Sequence, residues 1–306
     1  MSKIEEAARI LRAGGLVAFP TETVYGLGAD ASNPAAVARL YAAKGRPRFN
    51  PLIAHVADLD AAARQGVFTE KAHVLAEALW PGPLTLVMKR RADASVCELA
   101  CAGLDTIALR APRHPMAQAL LAAVGDPIVA PSANRSGHVS ATSAAHVRED
   151  LGNGVDLILD GGAASLGLES TIVALEPSGR AMLLRPGAVE GAAIEALVGP
   201  LEAPKAGAID APGMMASHYA PRARLRLDAA QPEPGETYLT FGAPAPPGGL
   251  TLSIAGDLTE AAANLYAYLR ALDARGAKII AVAPIPSAGL GEAINDRLMR
   301  AAAPRS

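Results

Sequence analysis

The sequence holds 306 residues, 51% of them hydrophobic and 19% charged, with a formal net charge of -2 at pH 7. That length suits two domains of the usual ~100–200 residues, and the apolar content can fill two cores. The balanced charge gives no global attraction to nucleic acid or membrane, no apolar run reaches the ~18 residues that span a bilayer, and the N-terminus lacks a signal peptide's basic and apolar regions, so the expectation is a cytoplasmic globular protein without membrane contact.

Ile4 to Arg12 places apolar residues at helical spacing and stops at Gly14-Gly15, which feeds a short apolar strand, Leu16 to Phe19. The strand hands over to Pro20-Thr21-Glu22-Thr23-Val24-Tyr25-Gly26-Leu27-Gly28, read as a loop that offers hydroxyls, a carboxylate and glycines permitting close backbone approach. Ser32-Asn33-Pro34 opens a helix to about Ala43, with a capping side chain followed by proline at the first helical position. That helix delivers Lys44-Gly45-Arg46-Pro47-Arg48, a loop stiffened by Pro47 and Pro51 ahead of a strand from Leu52 to Val56. Cations beside hydroxyl donors suit an anionic ligand, at about 1.5–3 kcal/mol per charge-assisted hydrogen bond, while a solvated basic turn is the competing reading.

Asp58 and Thr69 are expected to cap two helices, the second ending near Trp80-Pro81-Gly82-Pro83 before a strand from Leu84 to Lys89. Trp80 is read as core. Cys97 and Cys101 lack the second pair that a structural zinc site needs and read as ordinary thiols. Thr106 to Arg110 alternates as a strand and ends in an arginine, followed by a helix from His114 to Val124. Asp126 to Gly137 then repeats the opening pattern, with an apolar strand, Pro131, and a loop carrying Ser132, Asn134 and Gly137. Strands ending at Pro20, Arg110 and Pro131 are expected to converge at one mouth, as carboxyl ends do in open α/β sheets.

Thr142 is expected to cap a helix to about Leu151, and Val155 to Asp160 reads as a strand. Glu169-Ser170-Thr171 and Leu184-Arg185-Pro186-Gly187 place a hydroxyl and an arginine at further strand boundaries. This alternation favours a twisted, mixed α/β sheet over a bundle or sandwich. From about Pro200 to Pro221 the composition shifts to Pro, Gly, Ala and Met, which marks a linker ending in His218-Tyr219-Ala220-Pro221. Beyond it, strands at Leu225–Leu227, Thr237–Phe241, Leu250–Ile254 and Lys278–Ala283, with helices at Thr259–Arg275 and Leu290–Ala301, make a small three-layer α/β domain.

Neither standard nucleotide fingerprint is present, nor a Gly-x-Ser-x-Gly elbow or His-Glu-x-x-His. The combination Pro20-Thr21-Glu22-Thr23-Val24-Tyr25-Gly26-Leu27-Gly28, Lys44-x-Arg46-Pro47, Asn50-Pro51-Leu52, Trp80-Pro81-Gly82-Pro83-Leu84-Thr85, Pro131-Ser132-Ala133-Asn134, Glu169-Ser170-Thr171 and Leu184-Arg185-Pro186-Gly187 resembles the threonylcarbamoyl-AMP synthase family with its YrdC-like domain. Pro212-Gly213-Met214 followed by His218-Tyr219-Ala220-Pro221 looks like its long form. That form implies a YrdC-like catalytic domain over 1–200, a linker or lid over 201–223, and a smaller Rossmann-like α/β domain over 224–306.

The resemblance implies condensation of L-threonine, bicarbonate and ATP into threonylcarbamoyl-AMP and pyrophosphate, a nucleotidyltransferase reaction. Downstream transferase proteins then carry the threonylcarbamoyl group to the adenosine beside the anticodon of some tRNAs, with weak tRNA contact by the synthase itself an open expectation. Carried over by position, Lys44 and Arg46 are catalytic, and they bind ATP together with Thr106, Ser132, Asn134, Ser140, Arg185 and Tyr219. Thr21, His55, Arg110, Ala130 and Ser170 surround threonine or its carbamate. Mg2+ is expected on the ATP phosphates and water, since no aspartate cluster designates a protein-held metal.

Two readings compete. A non-catalytic module holding double-stranded RNA or tRNA would need the Lys and Arg residues but not Ser132, Asn134 and Ser170 in those loops. Carbamoyl transfer of the hydrogenase-maturation type belongs to much longer chains with zinc-finger cysteines.

Overall fold

A computed structural model describes residues 2–204 and 217–304. The larger part of the chain forms one nine-stranded mixed sheet. Its strands in chain order are β1 (Val17–Phe19), β2 (Gly26–Asp30), β3 (Ile53–His55), β4 (Leu84–Lys89), β5 (Thr106–Arg110), β6 (Ile128–Val129), β7 (Leu157–Ile158), β8 (Thr171–Leu175) and β9 (Ala181–Arg185), and their order across the sheet is β7-β1-β2-β6-β3-β5-β4-β8-β9.

The helices are set by their caps. Ser2 and Glu5 form a capping box at α1 (Lys3–Arg12), and Asn33 caps α2 (Pro34–Lys44) with Pro34 in its first turn. Asp58 and Thr69 cap α3 (Leu59–Ala63) and α4 (Glu70–Leu79), and His114 caps α5 (Pro115–Val124). Ser143, not Thr142, caps α6 (Ala144–Leu151), because its hydroxyl accepts from the His146 amide while the Thr142 hydroxyl lies against the His146 ring. Helix α7 (Gly191–Val198) has no side-chain cap and therefore left no start signal in the sequence.

Strand β2 lies in the stretch read as loop. Its glycines hid it, and they are required by packing: a Cβ on Gly28 would stand 2.9 Å from the Phe19 ring and 3.0 Å from Ile128.

The two faces of the sheet are covered unequally, and this creates the site. On one face Leu27, Leu86, Leu109 and Val173 pack with α2 residues Val37 and Leu40, α4 residue Leu75 and α7 residue Ile194 in a continuous core. On the other, α1 and α5 cover only the first half, where Leu11, Leu120 and Leu121 bury Val17, Phe19, Ile128 and Ala130. Past β6 that face carries the smaller group Ile53, Val87, Ala108, Ile172 and Leu184, and among the described residues no helix of its own module contributes to that group.

The second module is a four-stranded parallel sheet, ordered β10 (Arg224–Arg226), β13 (Ile279–Val282), β11 (Thr237–Thr240) and β12 (Leu250–Thr251), with α8 (Leu258–Ala274) and α9 (Leu290–Ala302). Its core takes in Val24, Val139 and Leu168 from the first module alongside Tyr219, Leu265, Tyr266 and Leu298. The approach is close enough that a Cβ on Gly167, at φ +69°, would stand 2.5 Å from the carbonyl oxygen of Ala262 on α8. Residues 205–216 of the expected linker, with Pro212-Gly213-Met214, lie outside the described residues; His218 to Pro221 lie within them. No helix among the described residues is long and apolar enough to cross a membrane.

Candidate active-site cleft

A row of polar groups crosses this half of the sheet face. Strand register sets its first members: β3 and β5 are parallel with His55 opposite Arg110, and β4 runs antiparallel to β5, so Thr85 follows. Ser170, just before β8, accepts or donates to the Thr85 hydroxyl at 2.7 Å, and Arg185 at the end of β9 donates to the Ser170 carbonyl at 2.8 Å. Alternation of side chains places Thr106, Ala108 and Arg110 on this same face.

The loop after β1 folds back over the row. Its Thr21 hydroxyl bonds the Thr23 hydroxyl at 2.8 Å, and Arg110 donates to Thr23 Oγ1 at 2.9 Å, to Glu22 Oε1 at 2.7 Å and to the Gly82 carbonyl at 3.3 Å. A guanidinium has five N–H donors, so this anchored one keeps donors for a carboxylate. Burial would raise the Glu22 pKa, but the Arg110 cation beside it lowers it below the ordinary value. His55 packs edge-on against Phe19, with ring centroids 6.1 Å apart. Burial, then the Arg110 cation, pulls its pKa down to about 3, so it is a neutral imidazole at ordinary pH.

The expected convergence at carboxyl ends of strands is corrected here. Strand β6 is antiparallel to β3, and β1 runs antiparallel to β2, which is itself antiparallel to β6. The ends at Pro20 and Pro131 therefore point opposite to the end at Arg110. The shared cleft lies across the face of the sheet and is closed by the loop from Thr21 to Tyr25, whose Tyr25 amide donates to the Ala141 carbonyl at 2.8 Å.

Opposite Arg110 stand further cations. Arg46 donates to Asn50 Oδ1 at 2.6 Å and to the Pro51 carbonyl at 2.8 Å, and it lines the cleft. Lys44 Nζ donates to the carbonyls of Ser132 and Asn134, bracing the loop that presents the Ser132 side chain. Both are buried, and neither has a carboxylate partner within ion-pair distance among the described residues. Burial accordingly pulls Lys44 well below its ordinary pKa and Arg46 down to about 10.

The wall beyond Ser170 is made by both modules. Glu169 accepts from the Ser140 hydroxyl at 2.6 Å, from the Tyr266 hydroxyl at 2.8 Å and from Arg297 Nε at 2.8 Å. Burial opposes its charge, yet the Arg297 and Arg185 cations outweigh this and hold it at about 2. Tyr219, at the left-handed φ of 62°, stacks on Tyr266 with centroids 5.7 Å apart and lies 5.1 Å from the Arg297 guanidinium.

Of the residues singled out in the sequence, Thr21, Arg46, His55, Arg110, Ala130, Ser132, Ser170, Arg185 and Tyr219 line this one cleft of ≈ 540 Å³, open mouth included. Lys44, Asn134 and Ser140 stand immediately behind it through the bonds just described. The structure does not bring Thr106 to the cluster. It starts the strand that Arg110 ends, some ~13 Å away at ~3.3 Å per residue, and borders a separate cavity with Val87, Lys89 and Met182. Sequence reasoning counted Glu22 and Thr23 only among the polar groups of the Pro20–Gly28 loop and gave no role to Tyr266 or Arg297. Arg297 did leave a signal, since it falls on the apolar stripe of α9 with Leu290, Ile294 and Ala301.

Five buried side-chain polar atoms have no hydrogen-bond partner among the described residues, and four of them, His55 Nδ1, Asn134 Oδ1, His218 Nδ1 and the Tyr219 hydroxyl, belong to this cleft or its immediate backing, the fifth being Arg90 Nε. Such concentration marks a ligand site, because a buried unsatisfied polar atom costs about 1–3 kcal/mol.

A family model described as "Telomere recombination" matches residues 9–187, and one described as "Threonylcarbamoyl-AMP synthase, C-terminal domain" matches residues 189–303. The chain is 40% identical to the threonylcarbamoyl-AMP synthase of Bacillus subtilis, over 99% of this chain and 94% of that protein. It is 39% identical to that of Pyrococcus abyssi, over 98% and 94%. The crystal structure of P. abyssi Sua5 complexed with L-threonine superposes with a TM-score of 0.90 at 37% identity, covering 98% of this chain and 94% of that one.

Proposed function

The chain belongs to the threonylcarbamoyl-AMP synthase family, and from that membership together with the cleft we propose that it condenses L-threonine, bicarbonate or CO2, and ATP into threonylcarbamoyl-AMP and pyrophosphate. In this reading it is a nucleotidyltransferase. The observation that carries it is the charge of the cleft: Arg46, Arg110 and Arg185 line it and are buried, while Glu169 in its wall and Glu22 behind Arg110 are already held by Arg297 and Arg110. Buried positive charge of this kind favours an anionic occupant.

Threonine is placed on the sheet row. The remaining Arg110 donors take its carboxylate, and neutral His55 can accept a hydrogen bond there without adding another charge. The threonine amine adds CO2 to give a carbamate with loss of a proton, and a carbamate oxygen then attacks the α-phosphorus as the bond to pyrophosphate breaks. Fixed cations on the phosphates lower the barrier without reorganising, so Arg46, Arg185 and the Ser132 loop braced by Lys44 are assigned to ATP. The carbamate is short-lived in water, which suits a cleft roofed by the Thr21–Tyr25 loop and Tyr219.

Mg2+ is assigned to the nucleotide as part of the substrate. The donors present do not fit a protein-held ion, because both Glu22 and Glu169 are taken up by guanidinium groups. The cations here turn inward, which disfavours an RNA-binding face as the primary role. The product is a mixed anhydride, and its consumption by a transferase acting on tRNA follows from the family reading.

The test is pyrophosphate release by purified protein given threonine, bicarbonate, ATP and Mg2+. Release is expected to depend on threonine; release indifferent to threonine would remove it as substrate.

A further inference from the structure

Arg297 lies on α9 of the second module yet is only 1% exposed, and three of its contacts belong to one wall of the first module's cleft. Its Nε donates to Glu169 at 2.8 Å, its Nη2 donates to the carbonyl of Pro186, next to Arg185, at 2.9 Å, and its guanidinium packs 5.1 Å from the ring centroid of Tyr219. Asp296 accepts from its remaining arm. Glu169 in turn receives the Tyr266 hydroxyl from α8 and the Ser140 hydroxyl from the first module.

This arrangement answers a problem in the reading above. A carboxylate in the wall of a triphosphate site would repel the ligand, and a buried one is the most repulsive because screening there is weak. Here both Glu169 oxygens are covered by donors, two of the three supplied by the second module. The same guanidinium fixes the ring of Tyr219, which lines the cleft at a left-handed backbone position that a tyrosine does not hold without surrounding contacts.

We propose that Arg297 is a positioning residue for the nucleotide side of the cleft: by masking Glu169 and seating Tyr219 and the Arg185–Pro186 turn, it makes the second module part of the working site. The inference rests on the assignment of ATP to this wall. Threonine, on the His55–Arg110 side, is held without any contact from Arg297, so the two substrates should respond differently to its loss.

The experiment uses the full chain and measures pyrophosphate release with each substrate titrated against a saturating level of the other. Arg297→Lys, which keeps the charge but not the three-way fork, is expected to raise the KM for ATP by about 10-fold while the KM for threonine stays within about 2-fold. Tyr266→Phe removes only one hydroxyl donor to Glu169 and tests the same wall with little risk to folding; it should raise the KM for ATP about 3-fold. Guanidinium added to Arg297→Ala should restore part of the ATP affinity, an effect that a generally damaged fold would not show. Equal changes in both KM values for Arg297→Lys, or no change in the KM for ATP in both Arg297→Lys and Tyr266→Phe, would overturn the proposal. Wild-type release that ignores threonine would instead refute the activity itself, and the positioning role would fall with it.

Discussion

Arg110 and His55 are set side by side by the register of two parallel strands within one sheet, whereas Tyr219 and Glu169 take their positions from α8 and α9, across a module boundary. The first wall is fixed by backbone pairing that many residues share. The second depends on a few side chains, so it is the wall that single substitutions and truncations should damage selectively.

Removing the chain beyond Leu201 tests the contrast most severely. It takes away Tyr219, Tyr266 and Arg297 and uncovers Val24, Val139 and Leu168, and turnover is expected to fall by more than ~100-fold in a pyrophosphate assay. Full activity in that fragment would show that the second wall is dispensable. Next in size, Arg46→Ala should lower turnover about 100-fold, since it deletes a fixed cation that the nucleotide meets directly.

Glu22→Gln addresses the sheet-borne wall. It leaves Arg110 with a neutral partner and a looser hold, so we expect the KM for threonine to rise about 10-fold with the KM for ATP nearly unchanged, the inverse of the pattern for Arg297→Lys. Matching effects on both substrates would erase the distinction between the walls.

The smallest effect is thermodynamic. His55 and His218 are held neutral, with pKa values pulled to about 3 by burial and then by the Arg110 and Arg46 cations respectively. Below the ordinary value of 6.5 the unfolded chain binds protons that the folded chain refuses, so stability falls with falling pH from about 6.5 towards 3, by up to ~2 kcal/mol per histidine at pH 5. Urea midpoints measured from pH 7 to 5 should show this, and His218→Gln should flatten the slope. An unchanged slope would mean that His218 does not stay neutral in the folded protein.

The sequence carried more of the fold than of the site's connections. Caps at Asn33, Asp58 and Thr69 and the apolar runs of β1, β4 and β5 were legible because those signals are local. Strand β2 was not, because its glycines answer to the Phe19 ring and Ile128, residues distant along the chain or across the strand pair. The same holds for the site. Motif positions gave the cleft-lining residues, but the partnership of Glu169 with Arg297 spans 128 positions, and no spacing rule reports it. Thr106 was carried over from motif position alone, and its place at the other end of the strand from Arg110 sets it beside a separate cavity.

The core shared by Val24, Val139 and Leu168 with Leu265 and Leu298 bears on how the chain comes undone when heated. Melting of the smaller sheet would strip apolar cover from Val24, Val139 and Leu168 on the larger one, so loss of order in one lowers the stability of the other. Calorimetry of the intact chain is therefore expected to show one endotherm rather than two, with substrates that grip only the first module shifting the whole peak.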